Sequence, residues 1–423
     1  MHVSLLTTIA TCVATVAAQS NQVSFIDGNT KIRGVNLGGW LVLEPWIRPS
    51  IFNPFKGTGI VDEFTLTQKR PAQAKTILQR HWDEWVTLKD MRQIKAAGFN
   101  MVRLPIGFWA YDNKNTPYIK GQAKYVDKLA SLISFQIGWA RQVDLKVLID
   151  LHGAPGSQNG FDNSGRRREN PGWQQADPGA RRTRAVLNKI QKKYGAASYD
   201  DVILGIELLN EPLYTKIDDA YLGQFYYDGF YQQRDYSANR VVVMSDAFRV
   251  TSYWNGMLTP SDNGAQNAAM DHHEYQVFDP NLIGMTPAQH RQQVCKAVDQ
   301  YNSVDKWTII GEWSGAMTDW ATWLNGFERG ARYDNTYTPP GQTGKYVGSC
   351  QGKSDISTWS QAMRKQTRKY IEVQMQEFEK YTRGWVFWNF KTEGAGEWDA
   401  LRLVKEGIFP TPGGTYQYPN QCK

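Results

Sequence analysis

The sequence predicts an α/β protein, a single-domain (β/α)8 TIM barrel, and three observations support this prediction. Short runs rich in β-branched residues alternate with longer amphipathic runs along the chain, which is typical of parallel strands covered by helices. Eight such units in 423 residues suit a closed barrel better than an open sheet. The first strand leads into VNLGGW and not into a G-x-G-x-x-G fingerprint, which argues against a dinucleotide-binding fold.

The apolar runs that predict strands each begin or end beside a glycine, a polar residue or a turn signal. They cover residues 32–39, 100–107, 146–153, 202–211, 240–248, 269–277, 307–315 and 384–391. A helical period between them predicts helices over 82–98, 127–142, 184–195, 287–302 and 363–381. Long loops at the C-terminal face of the strands are expected over 154–178 and 325–356.

Residues 1–18, MHVSLLTTIATCVATVAA, are predicted to be a secretory signal peptide, because an apolar run ends there in small residues. The barrel is then expected to occupy residues 19–423, and the protein to be secreted. No later segment approaches the roughly 18 apolar residues of a membrane span, so membrane insertion is not expected.

The net charge of +7 comes from 48 basic residues mixed with 41 acidic ones. Basic residues cluster only in GRRRE (165–169) and ARRTR (180–184), which favours a solvated surface over a nucleic-acid interface. Three cysteines remain after the signal, so one disulfide and one free thiol is the simplest expectation. No spacing indicates a metal site, and no cofactor is expected.

Polar and aromatic side chains follow nearly every predicted strand. In a barrel of parallel strands, chemistry occurs at the C-terminal ends of the strands. The groups that these ends would bring to one rim are Glu44, Arg103, His152, Asn210, Glu211, His273, Tyr275, Glu312 and Trp388. The joint arrangement predicts an active site at this rim.

Glu211 and Glu312 are the only glutamates in the last positions of predicted strands. Two facing carboxylates cleave glycosidic bonds, since one donates a proton to the leaving oxygen and the other attacks the anomeric carbon. Asn210 is expected to contact a sugar 2-hydroxyl, and Arg103 and Tyr275 to keep the attacking glutamate ionised. Taken singly, Glu211 before a proline could be a helix N-terminal acid, and Glu312 a structural ion pair.

Glu207 has the same strand parity as Glu211 but lies about 13 Å deeper in the predicted barrel, at roughly 3.3 Å per residue. A substrate would not reach it there. We therefore expect Glu207 to pair with a buried cation.

Several motifs carry a family resemblance. NEP (210–212) after the fourth strand, with a second glutamate closing the seventh, resembles the retaining glycoside hydrolases of family 5. The chain is also similar to fungal exo-β-1,3-glucanases in GVNLGGWLVLEPW, DLHGAPGSQNGFDNSG, GIELLNEPL, DHHEYQVF, GEWSGAMTDW, GWVFWNFKTE and YPNQC. This similarity extends along nearly the whole mature chain.

The resemblance implies that Glu211 is the acid/base and Glu312 the nucleophile. It also implies a first sugar subsite formed by Glu44, Arg103, His152, Asn163, Asn210, His273, Tyr275 and Trp388. Phe161 and Phe278 match an aromatic pair that clamps a glucose at the pocket entrance, because rings offer flat apolar contact area. The substrate would be a β-glucan, and the enzyme a monomer outside the cell or in the cell wall.

The resemblance also bears on the cysteines. Relatives often carry a cysteine where this chain has Trp320, and that cysteine pairs with the match to Cys350. Its absence here implies that Cys350 is a free thiol and that Cys295 and Cys422 form the disulfide.

Release of glucose from the non-reducing ends of β-1,3-glucans, with retention, is the leading hypothesis, and transglycosylation is a further expectation. A β-1,6-glucanase or a mainly transglycosylating enzyme would use the same machinery. A catalytically inactive glucan-binding wall protein is a third hypothesis, and the presence of both glutamates argues against it.

Overall fold

The fold is an eight-stranded parallel barrel, seen in a computed structural model that describes residues 23–26, 28–132 and 137–423. Each strand pairs with the next in chain order, and β8 pairs with β1 to close the barrel. The strands are β1 Ile32–Asn36, β2 Met101–Gly107, β3 Lys146–Gly153, β4 Ile203–Glu207, β5 Val241–Ser245, β6 Ala268–Glu274, β7 Trp307–Trp313 and β8 Gly384–Phe387. The predicted single-domain (β/α)8 barrel is confirmed. The predicted signal at 1–18 lies outside the described residues.

Helices occupy the connections between strands. They are α1 Pro49–Phe52, α2 Glu63–Lys69, α3 Pro71–Glu84, α4 Leu88–Ala96, α5 Ala123–Ala130, α6 Trp139–Gln142, α7 Trp173–Ala176, α8 Arg181–Tyr194, α9 Asp219–Arg234, α10 Pro287–Asn302, α11 Gln361–Tyr381 and α12 Ala400–Lys405. In the part of the chain that the structure describes, none of these helices is long and apolar enough to cross a membrane.

Two predicted helices are wrong as single elements. The segment 82–98 divides because Thr87 caps a new helix: its side chain accepts from the Asp90 backbone N–H, and the Asp90 side chain accepts from that of Thr87. The segment 127–142 also divides, since α5 ends at Ala130 and α6 begins at Trp139. Helix α9 was not predicted, because its tyrosines and glycines blur the helical period.

The lower half of the barrel interior is apolar. Met101 lies two residues before Arg103 on β2, so both side chains point inward. The separate apolar cluster that contains Met101 also includes Ile32, Leu148, Leu204, Val241, Val243, Ala269, Ile309 and Val386. The polar side chains in the upper half of the barrel, such as Arg103, therefore lie above a buried apolar layer.

One disulfide joins α10 to the C-terminal segment. Cys295 and Cys422 are bonded, with their Cα atoms 5.3 Å apart, whereas Cys350 is a free, half-buried thiol. Burial and the nearby Asp334 raise the pKa of Cys350 to about 12. The pairing implied by the resemblance is confirmed.

Thiol titration provides a direct check on this pairing. Denatured but unreduced protein beginning after residue 18 is expected to react with one equivalent of thiol reagent per chain, and reduced protein with three. The Cys350→Ser variant should lose the single reactive thiol and keep its unfolding temperature. Finding no reactive thiol before reduction would contradict the pairing.

Candidate active site

A cavity of about 470 Å³ opens at the C-terminal end of the barrel, a volume typical of ligand sites. Most of the predicted site residues line it: Glu44, Phe161, Asn163, Glu211, His273, Tyr275, Phe278, Glu312 and Trp388. Arg103, His152 and Asn210 are buried behind this lining. The structure thus brings all the predicted site residues to one place.

The two candidate carboxylates come from different backbone settings. Glu312 is the penultimate residue of β7, as predicted. Glu211 is not part of a strand, because β4 already ends at Glu207. The backbone of Glu211 has a left-handed φ of 44°, a costly conformation for a residue with a side chain. Even so, one oxygen of each carboxylate and a nitrogen of His273 all lie within 4.8 Å of one another.

Glu312 is held by two donors. Arg103 Nη1 donates to its Oε1 at 2.9 Å, and the Tyr275 hydroxyl donates to its Oε2 at 3.0 Å. Burial raises the pKa of Glu312 to about 8, against the opposing positive charges of His273 and Arg103. The negative charge of Glu211 adds to the rise.

Glu211 has a different pair of partners. His273 Nδ1 lies 2.8 Å from its Oε1, and Asn163 Nδ2 donates to its Oε2 at 3.0 Å. Burial alone would raise the pKa of Glu211, but the hydrogen bond and charge of His273 outweigh burial and lower it. Two carboxyls of similar burial therefore differ in pKa because their partners differ.

Arg103 lies at the centre of the polar layer and is fully buried. Besides Glu312, it donates to Glu207 Oε2 at 2.8 Å and to Asn210 Oδ1 at 2.8 Å. Asp150 lies 3.2 Å from the same guanidinium. Glu207 is thus the partner of a buried cation, as expected. Burial alone would lower the pKa of Arg103, but these acids raise it well above its usual value.

Asn210 Nδ2 and His152 Nε2 are among the buried polar atoms near the pair that have no hydrogen-bond partner in the described part of the chain. Buried polar atoms are normally satisfied, so such atoms beside a cavity are suited to a polar ligand. The remaining polar atom of each side chain has a partner: Asn210 Oδ1 accepts from Arg103, and His152 Nδ1 contacts Asp150 at 2.6 Å. The free atoms are therefore held in place.

Aromatic rings form the walls and mouth of the cavity. Trp388 stacks on His152, with ring centroids 5.5 Å apart and planes 11° apart. At the mouth, Phe161 and Phe278 are 43% and 41% exposed, which is high for phenylalanine and leaves part of each ring accessible to a ligand. Flat apolar rings around a polar floor suit a sugar, which has apolar faces and hydroxyl edges.

Sequence reasoning missed several lining residues: Trp46, Asp162, Phe248, Leu324, Asn325, Arg329, Arg332, Tyr337 and Trp398 among others. Phe248 could have been predicted as a site residue, because it is the last residue of the predicted fifth strand. That strand was the one to which no site group was assigned. The ring of Phe248 packs edge-on against Phe161 at 6.2 Å, and its φ of 61° is left-handed. Arg332 and Tyr337 come from a long loop and gave no periodic signal.

Two close carboxylates over a buried arginine, at the C-terminal mouth of a (β/α)8 barrel and framed by aromatic rings, define a glycosidase.

Comparison with known proteins identifies the family. A family model described as Cellulase (glycosyl hydrolase family 5) matches residues 68–333. Glucan 1,3-beta-glucosidase 2 of Wickerhamomyces anomalus is 44% identical over 93% of this chain and 91% of its own. Glucan 1,3-beta-glucosidase I/II of Saccharomyces cerevisiae is 41% identical over 92% and 87%. The crystal structure of rutinosidase from Aspergillus niger shares the fold, with a TM-score of 0.70 over 92% of this chain and all of its own, at 16% identity. The chain belongs to glycosyl hydrolase family 5.

Replacing Arg103 tests the buried charge cluster. Arg103→Met leaves Glu207 and Asp150 without their cation and is expected to cost about 3–5 kcal/mol in free energy of unfolding. Arg80→Met is the control, because Arg80 and its partner Glu84 are 76% and 51% exposed, and it should cost less than about 1 kcal/mol. Urea denaturation measures both values, and equal costs would refute the central role of Arg103.

Removing the charge of one carboxyl tests the coupling of the pair. Glu211→Gln is expected to lower the pKa of Glu312 from about 8, because a negative charge that raises it is gone. The carboxyl ¹³C shift of Glu312, assigned by its loss in Glu312→Gln, reports this pKa. An unchanged or higher value would show that the two groups do not interact.

Proposed function

We propose that this glycosidase is an exo-acting β-1,3-glucosidase that releases glucose from the non-reducing ends of β-1,3-glucans with retention of configuration. The observation that carries the proposal is the Glu211–Glu312 pair, with an oxygen of each within 4.8 Å of the other. Retaining enzymes separate their carboxyls by about 5–5.5 Å and inverting enzymes by about 6.5–9.5 Å. The names of the relatives support the β-1,3 linkage and the glucosidase activity.

In the first step, Glu312 attacks the anomeric carbon while Glu211 gives its proton to the glycosidic oxygen. The bond from the anomeric carbon to that oxygen breaks, and a covalent glycosyl-enzyme forms. In the second step, Glu211 takes a proton from water, the water oxygen attacks the same carbon, and Glu312 leaves. Two inversions give net retention. Asn210 Nδ2, which has no partner among the described residues, would donate to the sugar 2-hydroxyl.

The reaction needs the proton of the pair on Glu211, whereas the free site favours it on Glu312. His273 lies between them, with Nδ1 2.8 Å from Glu211 and 3.5 Å from Glu312. A sugar hydroxyl that donates to Glu312 stabilises its ionised form and lowers its pKa. His273 then gives its Nδ1 proton to Glu211 and takes the proton of Glu312 in its place.

Transglycosylation follows from the same site. Phe161 and Phe278 would hold the leaving sugar, and after its departure the same rings can hold an acceptor sugar in place of water. The partition between water and acceptor then depends on acceptor concentration. We further propose that residues 1–18 direct the enzyme to the cell exterior or wall.

Azide rescue separates the roles of the two glutamates. An aryl β-glucoside with a dinitrophenol leaving group needs no acid, so Glu211→Ala should still form the glycosyl-enzyme and give β-glucosyl azide. In Glu312→Ala, azide enters the vacated face and should give α-glucosyl azide. Proton NMR distinguishes the products by their anomeric couplings.

The same measurement on unsubstituted β-1,3-glucan checks linkage and stereochemistry. Wild type should first release the β-anomer of glucose, and Glu211→Ala should lose about 10²–10⁴-fold in rate on this substrate. Initial release of α-glucose, or of oligosaccharides alone, would refute the proposed retaining exo-glucosidase.

A further inference from the structure

A fully buried carboxylate, that of Asp271, lies beside the ring nitrogen of His273 that does not contact the catalytic pair. Asp271 and His273 are two residues apart on β6, so both side chains point into the barrel. His273 Nδ1 contacts Glu211 and Glu312, whereas its Nε2 lies 3.4 Å from Asp271 Oδ2. Neither Nε2 nor Oδ2 has a hydrogen-bond partner among the described residues, so the contact between them competes with no other hydrogen bond.

The other carboxylate oxygen of Asp271 is fixed by a bulge in β7. The pairing of β6 with β7 shifts by one residue between His272 and His273, which leaves Gly311 as an extra residue of β7. The backbone N–H of Gly311 donates to Asp271 Oδ1 at 2.7 Å. A β-carbon at position 311 would lie 2.1 Å from both carboxylate oxygens, so glycine is the residue that leaves room for them. The bulge thus orients the carboxylate with Oδ2 toward His273.

Charged groups from several strands surround the His273 ring and the Asp271 carboxylate. They are Glu207 of β4, Glu211 after β4 and Glu312 of β7, with Arg103 of β2 and Asp150 and His152 of β3 at longer range. Burial alone would lower the pKa of His273, but the charges of Glu312 and Asp271 raise it well above its usual value. Burial alone would raise the pKa of Asp271, and the charge of His273 outweighs it. The pair is therefore ionised, with a hydrogen on each nitrogen of the ring.

The position of the second hydrogen matters once His273 has given its Nδ1 proton to Glu211. The ring is then neutral and keeps one hydrogen, which either nitrogen can carry. An acceptor beside Nε2 holds the hydrogen there, because the partner of one ring nitrogen determines which nitrogen is protonated. The free lone pair then stays on Nδ1, which lies 3.5 Å from Glu312. The ring can accept the proton of Glu312, and one proton has passed from Glu312 to Glu211.

We propose that Asp271 is a positioning residue that keeps a hydrogen on His273 Nε2, so that Nδ1 alone exchanges protons with the two glutamates. This inference rests on the proposed glucosidase function. Asp271 is not among the residues that line the active-site cavity, so it acts through His273 and not on the sugar. Its carboxylate makes the transfer of the proton from Glu312 to Glu211 directional.

Asp271→Asn tests this role without changing the size of the side chain. The amide oxygen can keep the hydrogen bond from the Gly311 N–H, so the amide NH2 group points at His273 Nε2 and donates to it. The neutral ring then keeps its hydrogen on Nδ1 and cannot accept the proton of Glu312. We expect kcat/KM on unsubstituted β-1,3-glucan to fall about 10–10²-fold, a part of the roughly 10²–10⁴-fold that a positioned acid contributes.

A dinitrophenyl β-glucoside separates this effect from general damage to the site. Its leaving group needs no acid, and solvent can take the proton of Glu312 before the substrate binds. In Asp271→Asn, kcat/KM on this substrate should therefore stay within about twofold of wild type, which also shows that the variant folds.

Glu274→Gln is the matched control, because it makes the same change from acid to amide on the same strand. Glu274 lies 3.3 Å from Nε2 of His272, and the His272 ring packs against Tyr301 of α10. This variant should change kcat/KM on neither substrate.

Nitrogen-15 NMR reads the His273 ring without depending on turnover, with its signals assigned by their loss in His273→Gln. Wild type should carry a hydrogen on Nε2. In Asp271→Asn the pKa of His273 should be lower, because a negative charge beside the ring is lost, and the neutral ring should carry its hydrogen on Nδ1.

Four results would overturn the role of Asp271: equal losses on both substrates, no loss on β-1,3-glucan, an unchanged pKa of His273 in Asp271→Asn, or no hydrogen on Nε2 in wild type. The last result can be obtained even if the variant does not fold. Absence of glucan hydrolysis by wild type, together with the expected NMR result, would overturn the glucosidase function and keep Asp271 as the group that fixes the ring.

Discussion

The burial of one guanidinium group determines the geometry of this active site. Arg103 is fully enclosed and contacts groups from β1, β3, β4 and β7 or from the turns that follow them. A guanidinium presents its donors in one plane at fixed angles, so each acceptor has a defined position relative to the others. Glu312 and Asn210 are therefore placed by the same group. A buried charge is tolerated only when it is paired. Replacing Asp150, Glu207 or Glu312 would therefore weaken the compensation of the Arg103 charge and lower the stability of the fold.

The sequence was informative about the strands because parallel strands in a barrel are buried on both faces and read as apolar runs. It was less informative about where they end. In β4, Leu208 and Leu209 continue the apolar run although the strand stops at Glu207, since both side chains stay buried after the backbone turns. Periodicity reports burial, and burial continues past the last residue of the strand. The predicted position of Glu211 inside a strand was wrong for this reason.

The site residues also fall into a group that the sequence predicts and a group that it does not. Groups close to strand ends were predictable, because the barrel brings all such ends to one rim. Arg332 and Tyr337 were not, because they reach the cavity from a loop whose path depends on tertiary contacts such as those of Asp319 with the backbone of Arg332 and Tyr333. No local pattern encodes such a contact. The cavity residues near strand ends were therefore predictable from sequence, while the loop residues that complete the cavity were not.

The partners of the two carboxyls differ in a way that supports the proposed roles. An acid/base must give up a proton in one step and take one back in the next, so a titratable neighbour suits it, and Glu211 has His273. A nucleophile must leave each cycle as an anion, so it needs a neighbour that never releases its proton, and Glu312 has Arg103. Exchanging these partners would place a permanent cation, whose charge favours the ionised form, beside the group that must be protonated. Because the two carboxyls are buried to a similar degree, the basic side chain beside each one, His273 or Arg103, is what suits Glu211 to the proposed role of acid/base and Glu312 to that of nucleophile.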